Sequence, residues 1–110
     1  MNTKEYNCMR ETGKFINGII YNGIRQMLCG CYMVGAYENN LLLNGEKHCC
    51  DGTLLMGEFN TKGDLIYGSY TRDGISYIGE FKGGMCKGKV LLSDKKYISG
   101  VFAMKDVYRV

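Results

Sequence analysis

Hydrophobic and polar positions recur in one order along this chain, and the order is clearest from Tyr77 to Phe102, YIGEFKGGMCKGKVLLSDKKYISGVF. That stretch reads as strand, glycine turn, strand, Asp turn, strand. Alternate residues of a strand share a face, so Tyr77, Gly79 and Phe81 lie on one side and Ile78 and Glu80 on the other. The same holds for Leu55, Gly57 and Phe59 against Met56 and Glu58. A glycine between two large side chains leaves room for an aromatic ring of the next repeat to lie over the backbone, which predicts a core of stacked aromatics.

Sliding the chain against itself finds this pattern throughout at a 22-residue period. Gly13, Gly35, Gly57 and Gly79 fall in one column with Gly100 one residue early. Two positions on, the same rows carry Phe15, Tyr37, Phe59, Phe81 and Phe102. A second column holds Gly30, Gly52 and Gly74, preceded by Cys29, Asp51 and Asp73, with Asp94 one residue early. Between the columns stand hairpin signals. Asn17-Gly18 is a favoured two-residue turn, Asn39-Asn40 replaces it in the next copy because Asn tolerates the left-handed conformation, and a longer turn runs from Asn60 to Gly63. Residues 1–10 lack the period and are read as a cap, either a short strand or a turn of helix. No segment places apolar residues at helical spacing, so an all-β fold of about nine strands with almost no helix is expected.

The combination Y-x-G-E-F-x-x-G-x-x-x-G, a turn, and then Y-x-x-G-x-F resembles the MORN (membrane occupation and recognition nexus) repeat. It is carried best by Tyr77, Gly79, Glu80, Phe81, Gly84 and Gly88, and next by Gly57, Glu58, Phe59, Asp73 and Gly74. Gly13-Phe15 and Gly35-Tyr37 are degenerate copies, and the tryptophans usual in that family are absent. The resemblance implies an elongated, twisted, single-layer antiparallel sheet of stacked β-hairpins, used as a scaffold or protein-binding module, with lipid headgroups proposed as ligands for some members. It organises residues 1–110 as one domain, with repeats at about 11–32, 33–54, 55–76 and 77–98 and a partial one at 99–110.

Composition fits a globular domain: 45% hydrophobic, 23% charged, 16 glycines and no proline. No apolar run approaches the roughly 20 residues of a membrane helix, and the N-terminus, with charges of both signs and no apolar stretch, does not read as a signal peptide. A cytoplasmic location is expected, where thiols stay reduced and behave as small hydrophobes. Cys29, Cys31, His48, Cys49 and Cys50 could supply soft ligands from neighbouring hairpins, but their spacing is not a recognised zinc pattern and Cys49 and Cys50 point to opposite faces. No metal or cofactor is expected.

The net charge of +3 is unevenly spread. Residues 1–81 hold 7 basic and 9 acidic side chains, residues 82–110 hold 7 and 2. The basic end comprises Lys82, Lys87, Lys89, Lys95, Lys96, Lys105 and Arg109. These residues either guard the last strand against edge pairing or form a binding surface for an anionic partner. Catalysis is not expected. Gly83 to Val90 imitates a phosphate loop, but Val90 stands where a Ser or Thr must hold magnesium and a strand follows where a helix is required; Asp51 and Asp73 are explained by their turns.

The expected function is therefore a non-catalytic protein-binding repeat module acting through an exposed sheet face or edge. The alternatives are a small inhibitor, encoded by a virus or mobile element, that engages a host nucleic-acid-targeting enzyme through the basic end, and a module for anionic lipid. A single sheet leaves a face and two edges uncovered, so terminal caps, a homodimer or a partner is expected to cover them. Tyr21, Met27, Leu28, Tyr32 and Met33 are the expected dimer contact, being apolar with few charges nearby.

Overall fold

The computed structural model describes residues 2–5 and 9–103. Ten antiparallel strands follow one another in a single open sheet in chain order: β1 (Asn2–Glu5), β2 (Met9–Ile16), β3 (Ile19–Met27), β4 (Tyr32–Glu38), β5 (Leu41–His48), β6 (Leu54–Phe59), β7 (Leu65–Arg72), β8 (Ile75–Lys82), β9 (Met85–Leu91) and β10 (Tyr97–Ala103). No helix occurs among the described residues, and the N-terminal cap is the strand β1. Each strand pairs only with its chain neighbours. The expected elongated all-β sheet of hairpins is what forms, with one more strand than expected.

The turns follow local chemistry. Asn17-Gly18, Asn39-Asn40, Asp73-Gly74 and Gly83-Gly84 have positive φ at both central residues, the geometry whose twist matches that of paired strands. Loops of four or five residues join β3 to β4, β5 to β6, β6 to β7 and β9 to β10, each tied twice through the backbone, as in Met27 N to Cys31 O (2.8 Å) and Gly30 N to Met27 O (3.1 Å). One extra residue bulges from β3, β5 and β7 (Tyr21, Leu43 and Ile66), while the β8–β9 hairpin pairs without a bulge. That missing residue is why Gly100 arrives one position early.

Across β2 to β10 one glycine of each strand stands opposite one glycine of the next: Gly13, Gly23, Gly35, Gly45, Gly57, Gly68, Gly79, Gly88 and Gly100. All have φ between 137° and 159°, a region closed to other residues. A Cβ at Gly57 would strike the Tyr67 carbonyl oxygen and lie 2.8 Å from Gly68 Cα, and a Cβ at Gly68 would strike the Met56 carbonyl oxygen. The expectation that an aromatic ring of the next repeat lies over these glycines is thus corrected. From Gly13 to Gly88 the backbone of the paired strand fills the space, and beside Gly100 the nearest atom is Phe102 Cζ of its own strand at 3.8 Å.

The row is a crease. Tyr37 Oη donates to the carbonyl of Met33, in its own strand, at 2.9 Å, although four residues of extended strand span about 13 Å. The contact forms because β4 folds at Gly35, midway between the two. Arg25 stands opposite Met33, yet its guanidinium donates to the Asn40 carbonyl at 3.0 Å and to Asn40 Oδ1. Along a straight strand that is about 23 Å away, beyond any arginine side chain. The extents of 44 × 23 × 21 Å agree: ten strands at about 4.8 Å fill the long axis, but a flat sheet is only about 10 Å deep. The single layer folds on itself and covers its own inner face.

Two rows line that interior. On one side aromatic and aliphatic residues alternate as Phe15, Ile20, Tyr37, Leu42, Phe59, Leu65, Phe81 and Cys86, so the aromatic column is core, as expected, but its rings are separated by aliphatic ones. The facing row runs Lys4, Glu11, Arg25, Met33, Lys47, Leu55, Tyr70, Tyr77, Val90 and Ile98. It changes from charged to apolar along the molecule. Each of its cations crosses the crease over a ring and ends on a turn carbonyl: Lys4 over Phe15 to Gly18 O (2.8 Å), Arg25 over Tyr37 to Asn40 O, Lys47 over Phe59 to Gly63 O (3.2 Å). Glu11 Oε2 accepts from Arg25 Nε at 2.8 Å with both side chains buried.

Three outcomes follow. Gly68→Ala should destabilise by at least about 3 kcal/mol, from backbone strain plus collision, whereas Gly83→Asn, at an open turn position of φ 58° where Asn17 and Asn39 serve elsewhere, should cost under about 0.5 kcal/mol in denaturant titration. Arg25→Ala should cost about 3 to 5 kcal/mol by stranding the Glu11 charge, and Glu11→Leu with Arg25→Met should recover most of it. Burial pushes the Tyr37 phenol up to about 12 against the lowering influence of Arg25. Its unfolded value is about 10, so the stability from the neutral phenol is complete below pH about 10 and lost as pH rises towards 12. Thermal melts of Tyr37→Phe should lack that decline.

Candidate functional site: the open β10 edge

Residues one step either side of the crease point away from the interior. One outward row runs Ile24, Val34, Glu46, Met56, Ser69, Ile78 and Lys89, the other Lys14, Asn22, Ala36, Asn44, Glu58, Tyr67, Glu80, Lys87 and Val101. Ile24, Met56 and Tyr67 are exposed there, though charged and polar residues interrupt them. On the same face Tyr32 stacks on His48 at 4.2 Å, and His48 Nε2 lies 3.1 Å from Glu46 Oε1. His48 is thus a surface side chain held by two neighbours.

The basic residues are not gathered into one patch. Lys87 and Lys89 lie on the outward face of β9, Lys87 opposite Glu80 and Lys89 with its ammonium 5.3 Å from the Tyr97 ring centre. Lys82 is at the end of β8 by the Gly83-Gly84 turn, whereas Lys95 and Lys96 lie in the β9–β10 loop at the opposite end of the strands. Lys105 and Arg109 are outside the described residues. The phosphate-loop imitation is the Gly83-Gly84 turn and β9 itself.

The residues expected at a dimer contact are likewise dispersed. Met33 packs against the core and Tyr32 is covered on one face by His48. Tyr21 is a bulge residue near one end of the strands, while Met27 and the exposed Leu28 are at the other end.

What sequence reading missed is how little guards β10. Among the described residues it forms the last edge of the sheet, and its seven residues, YISGVFA, include no charged side chain, no proline and no bulge, the devices by which sheet edges are normally blunted. Of the basic residues expected to guard it, Lys82 ends β8, Lys87 and Lys89 stand on β9, Lys95 and Lys96 lie in the preceding loop, and Lys105 and Arg109 are outside the described residues. Ile98 occupies the inner row, where its counterparts Leu55, Tyr70 and Val90 are 3%, 2% and 6% exposed, but Ile98 is 55% exposed. Tyr97 and Val101 are as open, while Phe102 packs edge-on against Tyr77 with ring centres 6.2 Å apart. The signal was available in YISGVFA itself, which repeats the inner and outer pattern without a charged residue.

A second cluster lies where the β3–β4 and β5–β6 loops meet. Cys31 Sγ is 3.3 Å from Cys50 Sγ and accepts from Cys50 N at 3.2 Å, and Cys29 Sγ joins them with all three sulfurs within 4.8 Å of one another. Cys49 turns inward onto the core, and burial, the largest cause, pushes its thiol up. The five candidate ligands therefore separate into a group of three, a core residue and a stacked histidine.

No protein-family model and no curated protein matches this chain.

Proposed function

We propose that this protein is a non-catalytic, MORN-like binding module of the cytoplasm that takes an extended segment of another protein as an eleventh strand on the edge of β10. The observation that carries this reading is Ile98, an inner-row side chain left open at the unguarded end of the sheet. A partner strand laid beside β10 gains its unpaired backbone donors and acceptors, and alternate side chains enter above Ile98 and Phe102, which is how strand addition combines affinity with selectivity. Lys89, Lys95 and Lys96 border the edge, with Asp94 the one acid in that loop. A segment of alternating apolar residues flanked by carboxylates fits that border best. The widely separated lysines favour this local role over a broad basic surface for nucleic acid or lipid.

Capture of binding proteins from the native source by wild type and by Ile98→Lys/Val101→Lys tests the reading. Both sites are exposed, so the double variant should keep its melting temperature to within a few degrees while losing at least about tenfold in affinity for the captured protein. Slowed amide exchange confined to β10 in the complex would accompany it. Equal capture by the double variant, with loss on Met56→Lys instead, would move the interface to the outward face.

A further inference from the structure

We infer that Cys29, Cys31 and Cys50 form a three-thiolate site for a thiophilic d10 metal ion, Cu(I) or Zn(II). The fold does not require cysteine at these places. The β3–β4, β5–β6, β6–β7 and β9–β10 loops share one backbone design, closed by Met27 N to Cys31 O, Cys49 N to Thr53 O, Asn60 N to Asp64 O and Leu92 N to Lys96 O. At the position of Cys29 the other three loops have Asp51, Lys62 and Asp94, and the two carboxylates accept through Oδ1 from Thr53 N (2.9 Å) and Lys96 N (3.1 Å). At the position of Cys31 they have Thr53, Asp64 and Lys96. The first loop thus has a thiol where two of the others have a turn-stabilising carboxylate, and places a second thiol two residues on.

The hairpin β4–β5 brings the two loops side by side, and Cys50 supplies the third sulfur. A metal–sulfur bond of about 2.3 Å puts the sulfurs of a trigonal or tetrahedral ion about 3.8 to 4.0 Å apart, midway in the range from 3.3 to 4.8 Å found here. The three groups are exposed or half-buried, so an ion can enter and the loops can adjust. The amide of Cys50 donates to Cys31 Sγ at 3.2 Å and so holds the two loops side by side. No His, Asp or Glu among the described residues completes a fourth corner. Three thiolates satisfy trigonal Cu(I) fully, whereas Zn(II) takes a water as its fourth ligand. Thiolate donors select these ions over the hard cations.

The test uses the full chain, reduced and anaerobic, titrated separately with Cu(I) and Zn(II) against a chromophoric chelator. One equivalent of either ion should bind, with a sulfur-to-metal charge-transfer band. X-ray absorption should count three sulfurs, plus one oxygen in the Zn(II) arm only. Cys29→Ser, Cys31→Ser and Cys50→Ser should each weaken binding at least about 100-fold with unchanged circular dichroism, while Cys86→Ala should not. Failure of both ions to compete with the chelator would overturn the site. So would binding that survives any of the three serine variants, or a stoichiometric Cys31–Cys50 disulfide in protein alkylated at lysis, which would make the pair a cross-link instead.

Discussion

The close approach of two backbones at each paired glycine is the constraint on which the rest of this molecule depends. Nine strands cross at a row with no side chain, in a φ region that only glycine enters freely, and the sheet bends there. Because it bends, the inner-row residues on either side of each glycine, two positions away or three where a bulge intervenes, face one another instead of lying along one flat surface. A single layer thereby acquires an interior without a helix or a second sheet. It buries Ile20, Leu42, Phe59, Leu65 and Tyr70 to 5% exposure or less. The cost is the ordering entropy of one glycine in each strand from β2 to β10, which the cross-crease contacts offset.

Those contacts differ along the molecule. At the N-terminal end the gap is bridged by cations that run over rings to turn carbonyls, with the Glu11–Arg25 pair completing the charge balance; from Leu55 onward the same row is apolar. Buried ion pairs hold geometry more firmly than they add stability, so the N-terminal half is fixed in register by directional contacts. The C-terminal half relies on area. Its row ends on Ile98 with nothing beyond it in the described sheet, and that open end is what the proposed strand addition would cover. Position in the row, more than the identity of the residue, makes Ile98 a binding candidate while Val90, one strand away, is core.

Much of this architecture was readable from the residues. Asn17-Gly18, Asn39-Asn40 and Asp73-Gly74 announce their turns because positive φ has few chemical solutions, and the phenylalanine column announces the inner face because alternation along a strand is strict. The crease was not readable, since a glycine between two aromatics is consistent with a ring over the backbone until pairing shows a second glycine opposite it. The inward course of Arg25 and Lys47 was unreadable for the same reason: without the fold at Gly35 and Gly57, no turn carbonyl is within their reach. The thiol cluster depended on register. Cys31 and Cys50 become neighbours only once Tyr32 is placed opposite His48. The basic end misled in the other direction, because closeness in sequence was read as closeness in space, and hairpins send Lys82 and Lys95 to opposite ends of the strands.

The most direct measurement of the central claim is a set of nuclear Overhauser contacts within the isolated protein, from the Tyr37 ring to the side chains of Arg25 and Met33. A sheet creased at the glycine row places the Arg25 guanidinium 5.0 Å from the centre of the Tyr37 ring and the Tyr37 hydroxyl on the Met33 carbonyl. Strong cross-peaks between these groups, together with others from Lys47 to Phe59, are the expected result. Their absence, with the strand-to-strand backbone contacts of β3, β4 and β5 intact, would mean that the sheet is flat and that its interior is not made by the glycines.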